Sequence, residues 1–148
     1  MIDQNLADSL IRLRKRRIND AIHDLGQSKL IIQLVGETSP QEEFLLDIHK
    51  ASIRIEQHGL NKRVRKSIGL VRVDLGSTLE HSNPDGSKII GSHMHIFKEG
   101  YDLKWAVPLP YSGALGTFQD QGNLLSNFDQ FCQICNIVEP PILQGGLL

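Results

Sequence analysis

The chain has 148 residues with 16 Lys and Arg against 17 Asp and Glu, giving a formal net charge of −1 and a hydrophobic fraction of 40%. These values suit one soluble cytoplasmic domain over residues 1–148, and they exclude a wholly disordered chain, a membrane-spanning helix of about 20 apolar residues and, with two cysteines, a disulfide scaffold. We expect no signal peptide, because the N-terminus lacks a basic stretch followed by an apolar one.

The first half of the chain predicts one helix followed by strands. Residues 2–24 carry apolar side chains at three- and four-residue spacing, which predicts a helix that ends before Gly26, although Arg14 and Arg17 fall inside its apolar arc. From residue 30 the pattern changes to alternation, which is typical of half-buried strands. The predicted strands lie at 30–35, 44–49, 51–56, 67–75, 93–98 and 104–109.

The second half predicts loops and a closing helix. A loop at 76–92 contains the turn sequence Asn83-Pro84-Asp85-Gly86, and a Gly- and Ser-rich loop covers 111–122. Residues 123–138 repeat apolar side chains at helical spacing, and Cys132 and Cys135 belong to that stripe, so we expect two buried core residues. A flexible tail, or a peptide that docks elsewhere, begins at about residue 139. The outline is an α+β domain: an N-terminal helix, an antiparallel meander of about five to six strands, and a C-terminal helix.

The basic residues are unevenly distributed. Nine of the 16 lie in the runs RLRKRR, residues 12–17, and KRVRK, residues 62–66. A polyanion senses such local fields within a Debye length of about 8–10 Å, so the net charge does not exclude RNA. The runs are either a solvated helix face and a basic turn, or a footprint for a phosphate backbone. The residues that we expect to bind RNA in the second case are Lys62, Arg63, Arg65, Lys66, Arg14, Arg17 and Tyr101.

Three of the six histidines lie within 15 residues. Alternate residues of a strand point to the same face, so His93 and His95 should project together. On the preceding strand Arg72 and Asp74 occupy the polar face, and pairing of the two strands would bring all four into one patch. His81 would reach this patch from the loop above.

Such a patch suits RNA cleavage without a metal or other cofactor. His93 and His95 would act as the acid–base pair on the ribose 2′-hydroxyl and the leaving oxygen, with His81 assisting. Arg72 would clamp the phosphate and Asp74 would fix a histidine tautomer. Two other interpretations remain open at this point. The three histidines suit a zinc site with an open position, to which Asp74 could add a fourth ligand, and histidines in strands are also often purely structural.

The segment VRVDLGSTLEHSNPDGSKIIGSHMHIFKEG, with KWAVPLP after it, follows the pattern R-x-D-x-G, H-x-N-P-D-G and H-x-H-x-aromatic. Over residues 40–110 the chain resembles a family of uncharacterised small bacterial and phage-borne proteins. More distantly it is similar to ribonuclease toxins of toxin–antitoxin pairs, in the barnase, EndoU, colicin and RelE-like superfamily. That resemblance implies metal-independent RNA cleavage by a group drawn from Arg72, His81, His93 and His95, and an antitoxin partner, often a helix-turn-helix protein.

The leading hypothesis is therefore a metal-independent endoribonuclease, with a toxin–antitoxin module or a phage-defence system as its setting. One alternative is a non-enzymatic mobile-element or regulatory binding protein that needs the basic runs but not the histidines. The other is a metal-binding hydrolase that uses the histidine cluster. Oligomeric state is not readable from the sequence.

Overall fold

The structure is a computed structural model that describes residues 2–58 and 67–145. Its two helices are α1 (Gln4–Arg12) and α2 (Leu124–Ile134). Its strands are β1 (Lys15–Arg17), β2 (Ile22–Asp24), β3 (Lys29–Gly36), β4 (Glu43–His49), β5 (Ser52–His58), β6 (Ser67–Asp74), β7 (Glu80–Ser82), β8 (Lys88–Ile90), β9 (His93–Ile96), β10 (Ala106–Pro108), β11 (Tyr111–Gly113), β12 (Gly116–Phe118), β13 (Ile137–Glu139) and β14 (Ile142–Gln144).

Eight strands form the main sheet in the order β10-β9-β6-β5-β4-β3-β1-β13. Neighbouring strands are antiparallel except β1 and β13, which are parallel. The pairing of β5 with β6 passes from Ile55↔Val71 to Glu56↔Gly69, so Leu70 is an extra residue on β6. Such a β-bulge bends its strand and re-aims the side chains next to it.

One face of the sheet is buried beneath the two helices. Because side chains alternate along a strand, the apolar set of each long strand falls on this face and the polar set falls on the other. Each fully buried Leu, Ile or Phe contributes about 1.5–3 kcal/mol to folding. The buried side chains of this core include Ala7, Leu10, Ile11, Ile32, Leu34, Phe44, Leu46, Ile53, Ile55, Val71, Val73, Met94, Phe128 and Phe131. The other face carries the polar side chains and the candidate site, in which Asp74, His93 and His95 are themselves buried.

The N-terminal helix is shorter than the pattern predicts. Asp3 caps its start by accepting a hydrogen bond from the Leu6 N–H at 2.8 Å, and the backbone is extended at Leu13, with ψ 131°. Residues 15–17 and 22–24, predicted as helix, are the strands β1 and β2. Residues 15–17 pair with β3 and β13 instead of continuing the helix, and the earlier end also keeps Arg14 and Arg17 out of the apolar stripe.

Both segments predicted as loops contain short hairpins, β7 with β8 and β11 with β12. The described residues therefore form fourteen strands rather than five to six, and the main sheet has one parallel pair. The α+β class and the two terminal helices are confirmed.

The C-terminal segment leaves its helix early and returns to sheets. Asn123 caps α2 by accepting from the Ser126 N–H at 3.1 Å, and α2 ends at Ile134 instead of 138. The next residues form β13 beside β1, and β14 pairs with β2 in parallel. Within residues 2–58 and 67–145, no helix has the length and apolarity needed to cross a membrane.

Candidate functional site

The candidate site lies on the polar face of the sheet, where β6 and β9 are neighbours. The register places Arg72 opposite His95 and Asp74 opposite His93. The alternate residues of the same two strands, such as Val73 and Met94, are fully buried in the core. The period-two pattern therefore directs all four polar side chains to the same face, as the sequence predicts.

Asp74 is the centre of the polar contacts in this patch. Its Oδ2 lies 3.3 Å from His93 Nε2 and 3.2 Å from His95 Nε2, and its Oδ1 accepts from Arg72 Nε at 2.9 Å. Burial favours the neutral acid, but the hydrogen bonds from His95 and Arg72 outweigh it and hold the pKa of Asp74 well below its usual range. Asp74 is therefore an ionised carboxylate shared by two imidazoles and a guanidinium.

The outer ring nitrogen of each histidine faces a carbonyl oxygen. His93 Nδ1 lies 2.9 Å from the Gly91 carbonyl, and His95 Nδ1 lies within hydrogen-bond distance, 2.6 Å, of the Leu103 carbonyl. A carbonyl only accepts, so each Nδ1 carries a hydrogen and donates. A neutral ring of this tautomer has no hydrogen on Nε2, so a hydrogen bond from the same ring to Asp74 requires the protonated form.

His81 completes the group from the β7–β8 hairpin. Its ring centroid lies 5.3 Å from that of His93 and 4.7 Å from that of His95. Its Nε2 lies 3.0 Å from the Lys104 carbonyl and 3.1 Å from Asn83 Oδ1, so Nε2 donates and the Nδ1 lone pair is available. One ring nitrogen of each of the three histidines lies within 4.8 Å of those of the other two.

The cluster is accessible to solvent through a cavity of about 420 Å³. His93 and His95 are almost fully buried at its base, 4% and 6% exposed, whereas His81 is half-buried. The arrangement thus combines a buried, hydrogen-bonded base with an open side. The cavity is lined by Ala51, Arg72, Asp74, Leu79, Glu80, His81, His93 and His95. All five residues predicted to be catalytic are therefore brought together.

The residues predicted to bind RNA are not brought to this cavity within the described part of the chain. Arg14 pairs with Glu37 at 3.1 Å and Arg17 pairs with Asp20 at 3.0 Å, both near β1, four strands away from β6. Tyr101 lies against Trp105, with ring centroids 5.8 Å apart. Lys62, Arg63, Arg65 and Lys66 lie outside the described residues.

The two cysteines lie in the core, as predicted. Burial raises the pKa of Cys135 to about 12, and burial likewise raises the pKa of Cys132 above its usual value. A thiol with so high a pKa is neither a nucleophile nor a ready metal ligand. The Cys-x-x-Cys spacing therefore has a packing role here.

Sequence reasoning missed two residues of this region. Asn83 donates to the Ala106 carbonyl and accepts from the Ala106 N–H through its side-chain amide. The Asn-Pro-Asp-Gly sequence predicts only a turn at this position. Arg54 lies opposite Arg72 across β5 and β6. The alternation of β5 places Arg54 on the polar face, but only the strand register identifies its neighbour.

Comparison with curated proteins and with solved structures finds no match for this chain. A family model does match, over residues 2–137, which include α1, α2 and every residue of the histidine cluster. The expected membership of an uncharacterised family is thus confirmed, while the more distant similarity to ribonuclease toxins stays a prediction. The chain belongs to a family of unknown function, DUF6978.

Proposed function

We propose that His81, His93 and His95 bind a divalent transition metal of the zinc type and that the chain is a metal-dependent hydrolase. One observation carries the proposal: one nitrogen of every ring faces a carbonyl oxygen, and each of the three rings offers a nitrogen within 4.8 Å of those of the other two. Metal-binding histidines are oriented in this way by hydrogen bonds to backbone carbonyls and carboxylates.

The distances to Asp74 also suit a metal. In a tetrahedral site with bonds of about 2.0–2.1 Å, neighbouring ligand atoms lie about 3.3–3.4 Å apart. Asp74 Oδ2 is 3.3 and 3.2 Å from the two strand histidines. The three histidine nitrogens lie within 4.8 Å of one another, so the side chains must come closer together for all of them to bind one ion.

A metal held there would polarise a phosphoryl oxygen and lower the pKa of a bound water to about 7. In hydrolysis of a phosphodiester, the water gives up a proton and its oxygen forms a bond to phosphorus, while the bond from phosphorus to the leaving oxygen breaks and the leaving oxygen takes up a proton. Arg72 lines the cavity with 43% of its side chain exposed, so its guanidinium is accessible to an anionic substrate. Asp74 would be the fourth ligand, and the water or phosphoryl oxygen would then be a fifth.

The second candidate is metal-independent RNA cleavage with the same residues, in a toxin–antitoxin or phage-defence setting. It is favoured by the contact of Asp74 with both strand histidines, since an acid–base pair beside a carboxylate suits proton transfer. Without a metal, however, both nitrogens of His93 and His95 face acceptors, and each ring must be protonated to donate twice. Two imidazolium rings with centroids 4.9 Å apart would then share one carboxylate with Arg72. A metal with neutral rings avoids that repulsion, so we rank it first.

Zinc titration of chelator-stripped protein tests the proposal. We expect one zinc per chain for the wild type, and an affinity lower by at least about 100-fold in His93→Gln and His95→Gln, since each removes a ligand. His23→Gln is the matched control, because His23 lies on β2 outside the main sheet and should leave zinc binding unchanged.

Cleavage of a fluorescent single-stranded RNA and of bis(p-nitrophenyl) phosphate separates the two candidates. The metal-dependent candidate predicts that chelator abolishes cleavage and that zinc or manganese restores it. RNA cleavage that persists in chelator, and is lost in His93→Gln, would instead establish the second candidate. No zinc binding together with no cleavage of either substrate would reject both.

A further inference from the structure

The cavity at the histidine cluster is one of three that follow one another across the polar face of the sheet. A cavity of about 550 Å³ and another of about 370 Å³ both contain Arg54 and Arg72 in their linings. Arg72 also lines the histidine cavity. Arg72 therefore lines all three cavities, and Arg54 lines the two that lie beside the histidine cavity.

Arg54 and Arg72 face each other directly across β5 and β6. Like charges at opposed positions of antiparallel strands destabilise a sheet, because their Cβ atoms are only about 4.5–5.5 Å apart. Arg54 Nη2 lies 3.3 Å from Glu56 Oε2 and Arg72 Nε lies 2.9 Å from Asp74 Oδ1, while Asp47 is the residue opposite Arg54 on β4. Among the residues that the structure describes, Arg54 Nη1 and the two Nη atoms of Arg72 make no hydrogen bond to another residue.

Two further features indicate that Arg54 is placed for a ligand. Its Nε is buried and has no hydrogen-bond partner within the described part of the chain, although buried donors are nearly always paired. Beside it β6 carries Gly69, where a Cβ would lie 3.0 Å from Arg54 Nη2 and 2.5 Å from Leu103 Cδ1. The absence of a side chain at Gly69 thus leaves room for the guanidinium of Arg54 at the floor of the cavity.

We infer that Arg54 and Arg72 together bind a phosphate group of the substrate, next to the bond that is cleaved at the histidine cluster. The inference rests on the proposed function, and it names the substrate class as a phosphate ester with a second phosphate. A phosphate suits two guanidinium groups better than a carboxylate does, because its additional oxygens can accept from both at once. Arg72 is one strand from His95, and strands are about 4.8 Å apart, so the group held between the arginines adjoins the scissile one.

Binding measured in the presence of chelator tests this subsite apart from any metal. The probes are inorganic phosphate, adenosine 5′-monophosphate and an eight-nucleotide single-stranded RNA. Their binding is measured by calorimetry or fluorescence anisotropy. Arg54→Gln should weaken binding by about 10- to 100-fold, which is the usual range for a lost charge-assisted hydrogen bond. For RNA it should also lower the salt-dependence slope by about one. Arg54→Lys keeps the charge and should weaken binding less.

Arg12→Gln is the matched control, because it makes the same charge change at an exposed arginine in the last turn of α1. Equal losses in Arg54→Gln and Arg12→Gln, no loss in Arg54→Gln, or no binding of any probe by the wild type would overturn the inference. Tighter binding of RNA than of the mononucleotide would identify a polynucleotide substrate, and the reverse a small phosphate ester; either result supports the subsite. Zinc affinity should stay unchanged in Arg54→Gln. If the wild type bound phosphate but not zinc, the proposed metal would be rejected and the subsite would not.

Discussion

Lys15 is a buried charged residue that contacts the C-terminal ends of both helices. Its ammonium group donates to the carbonyls of Ile11 and Leu13 at 2.8 Å and of Cys135 at 2.7 Å, and it lies 5.0 Å from the centre of the Phe44 ring. These carbonyls belong to the C-terminal ends of α1 and α2, where the helix dipoles favour a cation and the last carbonyls lack partners within the helix. A single lysine therefore caps the C-terminal ends of both helices.

Replacement of Lys15 by methionine should destabilise the protein. The substitution keeps the length of the side chain but leaves three carbonyls without their donor, so we expect a loss of about 2–4 kcal/mol in the free energy of unfolding at pH 7. Urea denaturation measures it. Arg14→Met, at an exposed side chain, should change stability by about 0.5 kcal/mol or less. Equal stability of Lys15→Met and wild type would show that the ammonium group does not stabilise the helix ends.

The same lysine gives stability a defined pH dependence. Burial lowers the pKa of Lys15 from 10.5 to about 8, while the Cys135 thiol acts weakly in the other direction. Between these values the unfolded chain keeps the proton that the folded chain releases, so the free energy of unfolding rises with pH. Relative to Lys15→Met, the wild type should gain about 2–3 kcal/mol from pH 8 to 10.5. A flat difference would mean that the pKa is not lowered.

Part of the site could be predicted residue by residue. His93 and His95 share a face of the sheet, as do Arg72 and Asp74, because alternate residues of a strand point to the same side. This property depends on the local chain alone. Lys15 could not be found in this way, because it stands among arginines in a basic run, and only tertiary contacts with α2 supply its acceptors. The partnership of Arg54 with Arg72 likewise depends on the register between β5 and β6, to which the bulge at Leu70 adds a shift.

The β7–β8 hairpin is the element that positions His81. Asn83, at its turn, accepts from the Ala106 N–H at 2.8 Å and donates to the Ala106 carbonyl at 3.1 Å, so its amide pairs with β10 as a strand residue would. Asn83 also lies 3.1 Å from His81 Nε2. The hairpin is thereby fixed to the sheet edge, with its histidine above the cavity.

Asn83→Ala should lower zinc affinity by about 10- to 100-fold, because the loss of a hydrogen bond to a metal-binding histidine has effects of this size. Global stability should fall by only about 1–2 kcal/mol, since the hairpin lies outside the main sheet. Calorimetric zinc titration and thermal denaturation measure the two quantities separately. Ser82→Ala, which removes an exposed hydroxyl from the same hairpin, is the control. Unchanged zinc affinity in Asn83→Ala would mean that the hairpin does not orient His81.

At the level of elements, long regular segments could be predicted and short ones could not. The strands β3 to β6 and both helices carry repeated apolar periods, whereas three-residue hairpins such as β7–β8 are too short to show one. The turn sequence that begins at Asn83 predicts where the chain reverses, but it does not predict that strands flank the turn. The early end of α1 depends on β1 filling the space between β3 and β13, which is a tertiary effect.

The molecule as a whole divides at its main sheet into two regions with different chemistry. On one face the helices and the apolar side chains form the core, and on the other face lie Arg54, Arg72 and the histidine cluster. The candidate ligands come from β9 and the β7–β8 hairpin, which are distant in sequence from α1 and the N-terminal strands. A ligand of this cluster binds the folded arrangement of the hairpin and β9 and not the unfolded chain, so its binding should be visible in the stability of the whole fold.

Zinc should accordingly raise the melting temperature of the chelator-stripped protein. A ligand at 100 times its dissociation constant adds about 2.7 kcal/mol to the free energy of unfolding, which for a chain of this size is about 5–10 °C. Magnesium prefers a set of oxygen ligands and should give no comparable shift. His81→Gln should lose most of the zinc shift and His23→Gln should keep it, because only the first removes a proposed ligand. A zinc shift of full size in His81→Gln would mean that the ion binds outside the histidine cluster, since the half-buried ring of His81 supplies one of the three converging nitrogens.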